Sequence, residues 1–177
     1  MDTKIFREFA NNRILQSIIE IDNGIYPSIP VKMPPFCFLS FNESGIKISG
    51  IEPLLNKKKK SPMDYIPYST IKKIEIGPIK KITVVVFSPG TRINLDLKIF
   101  LNDDTYLHFE CEDMSMITNL SSLLTIHDIE LVDNFELVDI FKNANSSRGA
   151  YDYLYDNLDE IAEKKHIDLL RLKQTEN

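Results

Sequence analysis

The sequence predicts an α+β domain: a strongly twisted, mainly antiparallel sheet over residues 36–111, a closing helix near 113–124, and a C-terminal pair of helices. Three observations predict it. From residue 36 to 111 apolar and polar residues alternate with the period of two that belongs to strands, punctuated by turn-forming residues. From residue 113 onward apolar residues recur three and four apart, the period of helices. With 177 residues, 43% of them hydrophobic and 27% charged, the chain can bury a core without disulfide or metal staples.

Three segments follow from this pattern: residues 1–35 as an N-terminal element and connector, 36–124 as the β domain with its helix, and 125–177 as helices packed on it. Residues 3–12 read as a short helix presenting Ile5, Phe6 and Phe9. The next apolar set, Ile14, Leu15, Ile18, Ile19 and Ile21, fits helix and strand templates equally, and its type stays open. Residues 24–35 carry four prolines, which remove backbone donors and fix φ, so they read as an extended connector rather than a helix or central strand.

"FCFLSFNESGIKISG" reads as a hairpin around the turn-forming "NESG". A lysine loop, residues 52–64, follows it. "YIPYSTIKKIEIG" then gives a strand with Ile74 and Ile76 on one face and Lys73 and Glu75 on the other, and "KKITVVVFS" gives a more apolar one. A "PGTR" turn leads into the clearest pattern, "NLDLKIFLNDDTYLHFEC". With Asn102, Asp103 and Asp104 as a three-residue loop, Ile99 lies opposite Leu107, Leu97 opposite Phe109, and Leu95 opposite Cys111, so the two apolar rows meet. The other face then pairs Phe100 with Tyr106, Lys98 with His108, and Asp96 with Glu110. The last pair is a like-charge mismatch: either solvent or a nearby lysine relieves it, or the register is shifted by two.

Residues 113–124 read as a helix with Asp113 as N-cap and Met116, Ile117, Leu120, Leu123 and Leu124 as its apolar stripe. "DNFE" has the capping-box form, which starts a second helix at Asp133 and ends it near "NANSSRG". The last helix, about 148–165, carries Tyr151, Leu154, Tyr155, Leu158, Ile161 and Ala162 at helical spacing, and the tail after Leu172 is expected to fray.

"GIKISG", "IPYSTIKKIEIG", "LDLKIFLNDDTYLHFEC" and "MITNLSSLL" together resemble the bacterial pleckstrin-homology-like domains, over residues 36–124. That resemblance implies a bent antiparallel sheet, a partly open barrel closed at one end by a helix, and a role as an interaction or scaffold module. It does not carry over the basic phosphoinositide pattern of lipid-binding members. The first hairpin turn here is the acidic "NESG", and the lysine run falls one connection later with no arginine near it.

The chain's formal net charge of −5 is unevenly placed. Residues 56–81 carry eight lysines, Lys57, Lys58, Lys59, Lys60, Lys72, Lys73, Lys80 and Lys81, against Asp64 and Glu75, a net of +6. Residues 96–142 carry eleven acids against Lys98 and Lys142, a net of −9. The lysines are candidates for binding an anion if the loop folds toward the strands, and otherwise form a solvated loop that blunts a sheet edge. Without arginine or interleaved aromatics the segment is a poor nucleic-acid site.

Catalytic and metal chemistry find no footing. Strand alternation puts His108 and Glu110 on one face and Cys111 on the other, so no nucleophile–base pair forms in "HFEC". Asp96, His108 and Glu110 as three exposed ligands lack supporting partners for a metal, and His127 and His166 stand alone beside helix ends. Cys37 and Cys111 sit in apolar alternating runs as small hydrophobes. No glycine-rich phosphate loop, zinc spacing, signal-peptide core or membrane-length apolar run occurs. The expectation is a soluble cytoplasmic protein, not an enzyme and without a cofactor. Its candidate partner site is Phe100, Tyr106, Lys98 and His108, contacting a protein of unknown identity through that face or a sheet edge. Two alternatives stand beside it: an inhibitor or immunity-type protein that masks a basic surface with its acidic 96–142 region, and membrane-surface recruitment through the lysine loop. Whether the C-terminal helices cover Phe100 and Tyr106 stays open.

Overall fold

The structure is a computed structural model and describes residues 3–28, 36–52, 59–85 and 88–174. In chain order these form α1 (Thr3–Asn11), β1 (Leu15–Ile21), β2 (Gly24–Tyr26), β3 (Cys37–Phe41), β4 (Gly45–Glu52), β5 (Lys59–Pro67), a 3₁₀ turn (Tyr68–Thr70), β6 (Ile71–Val85), β7 (Ser88–Leu101), β8 (Tyr106–Cys111), α2 (Ile117–Ile126), β9 (Glu130–Asp133), α3 (Leu137–Asn143), α4 (Ser147–Lys165) and β10 (Leu170–Gln174).

The fold is α+β, but the sheet is mixed rather than mainly antiparallel and does not close into a barrel. Its order is β10-β6-β7-β8-β1-β3-β4-β5, with β2 beside β1 and β9 beside β6. Two antiparallel meanders, β3-β4-β5 and β6-β7-β8, account for the alternation in residues 36–111. The parallel pairings all involve strands outside those meanders: β1 with β3 and β8, and β9 and β10 with β6. A chain that returns to an existing edge after a long excursion can pair in either sense, and local alternation carries no information on which.

β1 alternates buried and half-buried residues along its whole length, which resolves its type as a strand. Its link to β2 is a two-residue turn with Asp22 at φ 50 and Asn23 at φ 63, the left-handed pair that hairpin twist favours. Residues 24–26 are therefore a strand and not connector, while 29–35 lie outside the described residues. The β3–β4 hairpin closes as expected, Asn42 N–H donating to Gly45 O at 2.9 Å. The predicted 52–64 loop is partly strand, because Lys59 onward pairs with β4. "YIPYSTIKKIEIG" is not one strand: the 3₁₀ turn at Tyr68–Thr70 breaks it. Of "KKITVVVFS", residues 80–85 continue β6 instead of starting a new strand, and "PGTR" lies inside β7, paired with residues 81–84.

The core lies on one face of this sheet. Ile74, Ile76, Leu95, Leu97, Ile99, Leu107, Phe109 and Cys111 face it from the second meander, and Leu39, Ile46, Ile48 and Ile66 from the first. α2 lays Ile117, Leu120 and Leu124 against that face, and α4 adds Ala150, Leu154, Leu158 and Ala162. α1 contributes Phe6 and Ala10, and Arg7 is tied bidentately to the buried Asp64 of β5 at 2.6 and 3.2 Å.

The helix boundaries shift for local reasons. Asp113 does not cap α2. It accepts instead from Ser115 N–H and Oγ in a turn, at 2.8 and 2.6 Å, and the helix starts at Ile117. Asp133 ends β9, and its carboxylate takes the first α3 amides, Leu137 N and Val138 N, at 2.9 and 2.8 Å. Glu136 takes no part in a capping box: it sits at φ 59 and pairs with Lys165. In α4, Tyr155 is exposed although its spacing placed it on the buried stripe. The tail does not fray at Leu172. β10 continues to Gln174 along β6, and Asp159 of α4 joins Lys80 of β6 and Arg171 of β10. No helix among the described residues is long and apolar enough to cross a membrane.

Candidate functional site

The outward face of β6, β7 and β8 follows from alternation. Every residue facing the core has two neighbours facing away, so Lys73 and Glu75, then Asp96, Lys98 and Phe100, then Tyr106, His108 and Glu110 share the opposite side. The register puts Phe100 beside Tyr106, Lys98 beside His108 and Asp96 beside Glu110, as the three-residue loop requires. Leu101 N–H donates to Thr105 O at 2.8 Å, and Asp104 takes the left-handed φ of 63 that closes such a loop.

The Asp96–Glu110 juxtaposition is real, and cations rather than solvent relieve it. Asp96 accepts from His108 Nε2 and lies 3.5 Å from Lys98 Nζ. Glu110 receives Lys81 Nζ and Asn94 Nδ2, each at 2.5 Å. Both carboxylates are buried, Glu110 to 3% and Asp96 to 7% residual exposure, which only paired charges tolerate. Asn94 Oδ1 is buried without a hydrogen-bond partner. Burial alone would pull the Lys98 ammonium down; Asp96 and Glu75 outweigh it and hold it above the ordinary lysine value. Lys98 therefore stays charged, bridging Asp96 to Glu75 Oε1 at 3.4 Å.

At the loop end of the same face, Phe100 and Tyr106 stack with ring centroids 5.5 Å apart, and Lys73 Nζ stands 4.8 Å over the Phe100 ring. Both rings are half-buried, and neither belongs to the core cluster or packs against it. The C-terminal helices pack their buried residues into the core cluster, to which neither ring belongs. Phe100, Tyr106, Lys98 and His108 are thus brought together, joined by Asp96 and Glu75.

The lysines are not. Lys57 and Lys58 lie outside the described residues, and only the backbone of Lys59 and Lys60 is described, in β5. Lys72 pairs with Asp104 at 3.0 Å, Lys73 approaches Glu75 at 3.9 Å, Lys80 pairs with Asp159 at 2.5 Å, and Lys81 with Glu110. Lys80 and Lys81 are adjacent on a strand and point to opposite faces. These four are neutralised one by one and form no basic patch.

Cys37 and Cys111 are buried on the core face, where desolvation pushes both thiols up to about 12. Neither is a nucleophile at neutral pH, and Cys111 faces away from His108. His127 packs its ring against Tyr68, centroids 4.1 Å apart, and His166 ends α4 with a left-handed φ of 53. No group of three His, Cys, Asp or Glu suited to a metal occurs among the described residues. Sequence reasoning missed Asn94 and Lys81 as partners of Glu110. The signal was a polar Asn at the start of "NLDLKIF", on the same face as Asp96 and opposite an unbroken apolar row.

Comparison of the chain with family models, with curated proteins and with solved structures returned no significant match.

Proposed function

We propose that the chain is a non-catalytic, pleckstrin-homology-like interaction module that docks a protein partner on the outer face of β6, β7 and β8, centred on Phe100 and Tyr106. The observation that carries this reading is the stacked aromatic pair held away from the core, with Lys73 over one ring. Aromatic side chains ringed by polar groups are the usual anchors of protein interfaces. Beneath them, the paired Asp96, His108, Lys98 and Glu75 fix the surface before a partner arrives, which lowers the ordering cost of binding. The two meanders followed by α2 support the family likeness, and the central parallel β1 is a departure from its antiparallel pattern.

Masking of a basic surface by residues 96–142 has less support. Those carboxylates do not form one surface: Asp96 and Glu110 are buried in pairs, Glu112 holds Arg92 at 3.0 Å, and Asp133 caps α3. Membrane recruitment rests on the lysine run alone.

Affinity capture with wild-type chain, the F100A/Y106A variant and a D103K/D104K variant tests the reading. Proteins retained by the wild type are lost with F100A/Y106A and kept with D103K/D104K. Loss with D103K/D104K alone moves the interface to the acidic turn and overturns the aromatic reading. Asp133 is unsuitable for such charge reversal, because its carboxylate holds two helix amides.

A further inference from the structure

At the end of the sheet where α2 finishes, a groove of ≈ 720 Å3 opens between the β1–β2 turn, the β3–β4 turn and the last turns of the helix. Its apolar lining is Phe41, Leu123 and Ile126. Ile126 is 78% exposed, the most exposed of the large hydrophobic residues among those described, and it stands on a helix whose other apolar residues are mostly buried. Its charged lining is Asp22 and Glu43, with His127 as the remaining ionisable group.

We propose that this groove binds a short cationic peptide segment of a partner protein, one apolar side chain lying against Phe41, Leu123 and Ile126 and a neighbouring lysine or arginine against Asp22 and Glu43.

Charge complementarity selects that occupant. Asp22 and Glu43 are exposed carboxylates without a cationic partner among the described residues. No lysine or arginine lines the groove. The C-terminal end of α2 adds the partial negative charge of the helix dipole, of the same sign. An acidic or phosphorylated segment is disfavoured by all three, and a purely apolar one leaves the carboxylates without use.

The walls are already set. The β1–β2 turn is locked by its left-handed pair, Asp22 and Asn23. The β3–β4 turn is pinned to the 3₁₀ turn by Tyr68, whose hydroxyl donates to Asn42 O at 2.8 Å and whose N–H donates to Ser44 O at 3.2 Å. The Tyr68 ring in turn packs on His127, joining the turn to the helix end. A site built this way loses little freedom on binding. Its volume is in the range of about 300–1,000 Å3 that accepts a few side chains.

The test is titration of the 15N-labelled full chain with the peptide Ac-GLKKLG-amide, alongside Ac-GLEELG-amide and Ac-GSKKSG-amide. Amide shifts are expected at residues 22–24, 41–45 and 122–128 with the first peptide only. Neutralising the two rim charges in a D22N/E43Q variant weakens binding about tenfold and removes most of its salt dependence. Asparagine tolerates the left-handed backbone at position 22, so that turn is kept. The I126S variant weakens the same titration, and F100A/Y106A leaves it unchanged, which separates this site from the outer face. Equal binding of the glutamate peptide, shifts confined to other residues, or full affinity in D22N/E43Q overturns the proposal. Self-association of the chain that D22N/E43Q abolishes also overturns it, reassigning the groove to a second copy and its lysine run.

Discussion

The two faces of β7 make an instructive pair. One carries Leu95, Leu97 and Ile99, the other Asn94, Asp96 and Lys98, and apart from Lys98 the residues on both sides are buried to 7% exposure or less. On the inner face burial comes from apolar packing that needs no direction. On the outer face the buried groups are polar and are held by hydrogen bonds and ion pairs, so each depends on a named partner. Depth of burial is therefore no guide to how a position will respond to change: the inner face loses volume, the outer face loses a partner.

The largest effect should come from the inner face. Phe109→Ala removes a fully buried ring, and urea unfolding should show a loss of about 3–5 kcal/mol. Glu110→Ala, one position on and facing outward, should still cost about 3 kcal/mol, because it strands Lys81 and Asn94 in a buried setting. If that variant unfolds with the wild type, the outer face is only a solvated surface and the contrast fails. Replacing Lys81 and Glu110 together with methionine and leucine should recover most of the loss, which volume loss on the inner face would not allow.

A smaller effect separates paired charges at the sheet edge. The Lys80 hydrogen bond, with Arg171 adding to it, holds the Asp159 carboxyl below its ordinary 3.8. A depressed carboxylate stabilises above its unfolded pKa, so this link is whole above pH 3.8 and is lost as pH falls through the lower, folded value. Hydrogen exchange at residues 170–174 should accelerate in that acid range ahead of the core strands, and D159N should reproduce the change at neutral pH. The smallest effect is expected from changing Lys57, Lys58, Lys59 and Lys60 to glutamine, which should shift stability by less than about 0.5 kcal/mol in the same urea assay. A larger shift would give the lysine run a structural role that neither face of β7 accounts for.

The β7–β8 register was readable to within a shift of two, and the one found is the one in which a three-residue loop lets the two apolar rows meet. The same rule exposed the Asp96–Glu110 conflict. Its resolution was only half readable: Asn94 lies on β7 itself, on the face of Asp96, but Lys81 comes from a position whose pairing depends on β6 continuing to Val85. The expected strands ended at Gly77 and began again at Lys80, and pairing with β7 joins them across Pro78. The β1–β2 hairpin was announced by Asp22-Asn23-Gly24, but the prolines after it dominated the reading of residues 24–35. β9 and β10 are short edge strands without a strong alternating pattern, legible only once β6 offers its edge. The groove beside Ile126 joins three segments distant in sequence, so no local pattern foreshadows it.

The position of β1 sets how the molecule comes apart and together. It meets β3 across a short stretch of chain, Ser40 reaching Glu20 over 20 residues, but meets β8 only across 93. The two meanders can each assemble from neighbouring sequence, while the seam between them waits for the chain to return. That seam is also narrow, with two register positions, Leu15 with Phe109 and Gln16 with Glu110. Partial unfolding should therefore begin as a parting of β1 from β8, with each meander staying intact on its own side of the rupture.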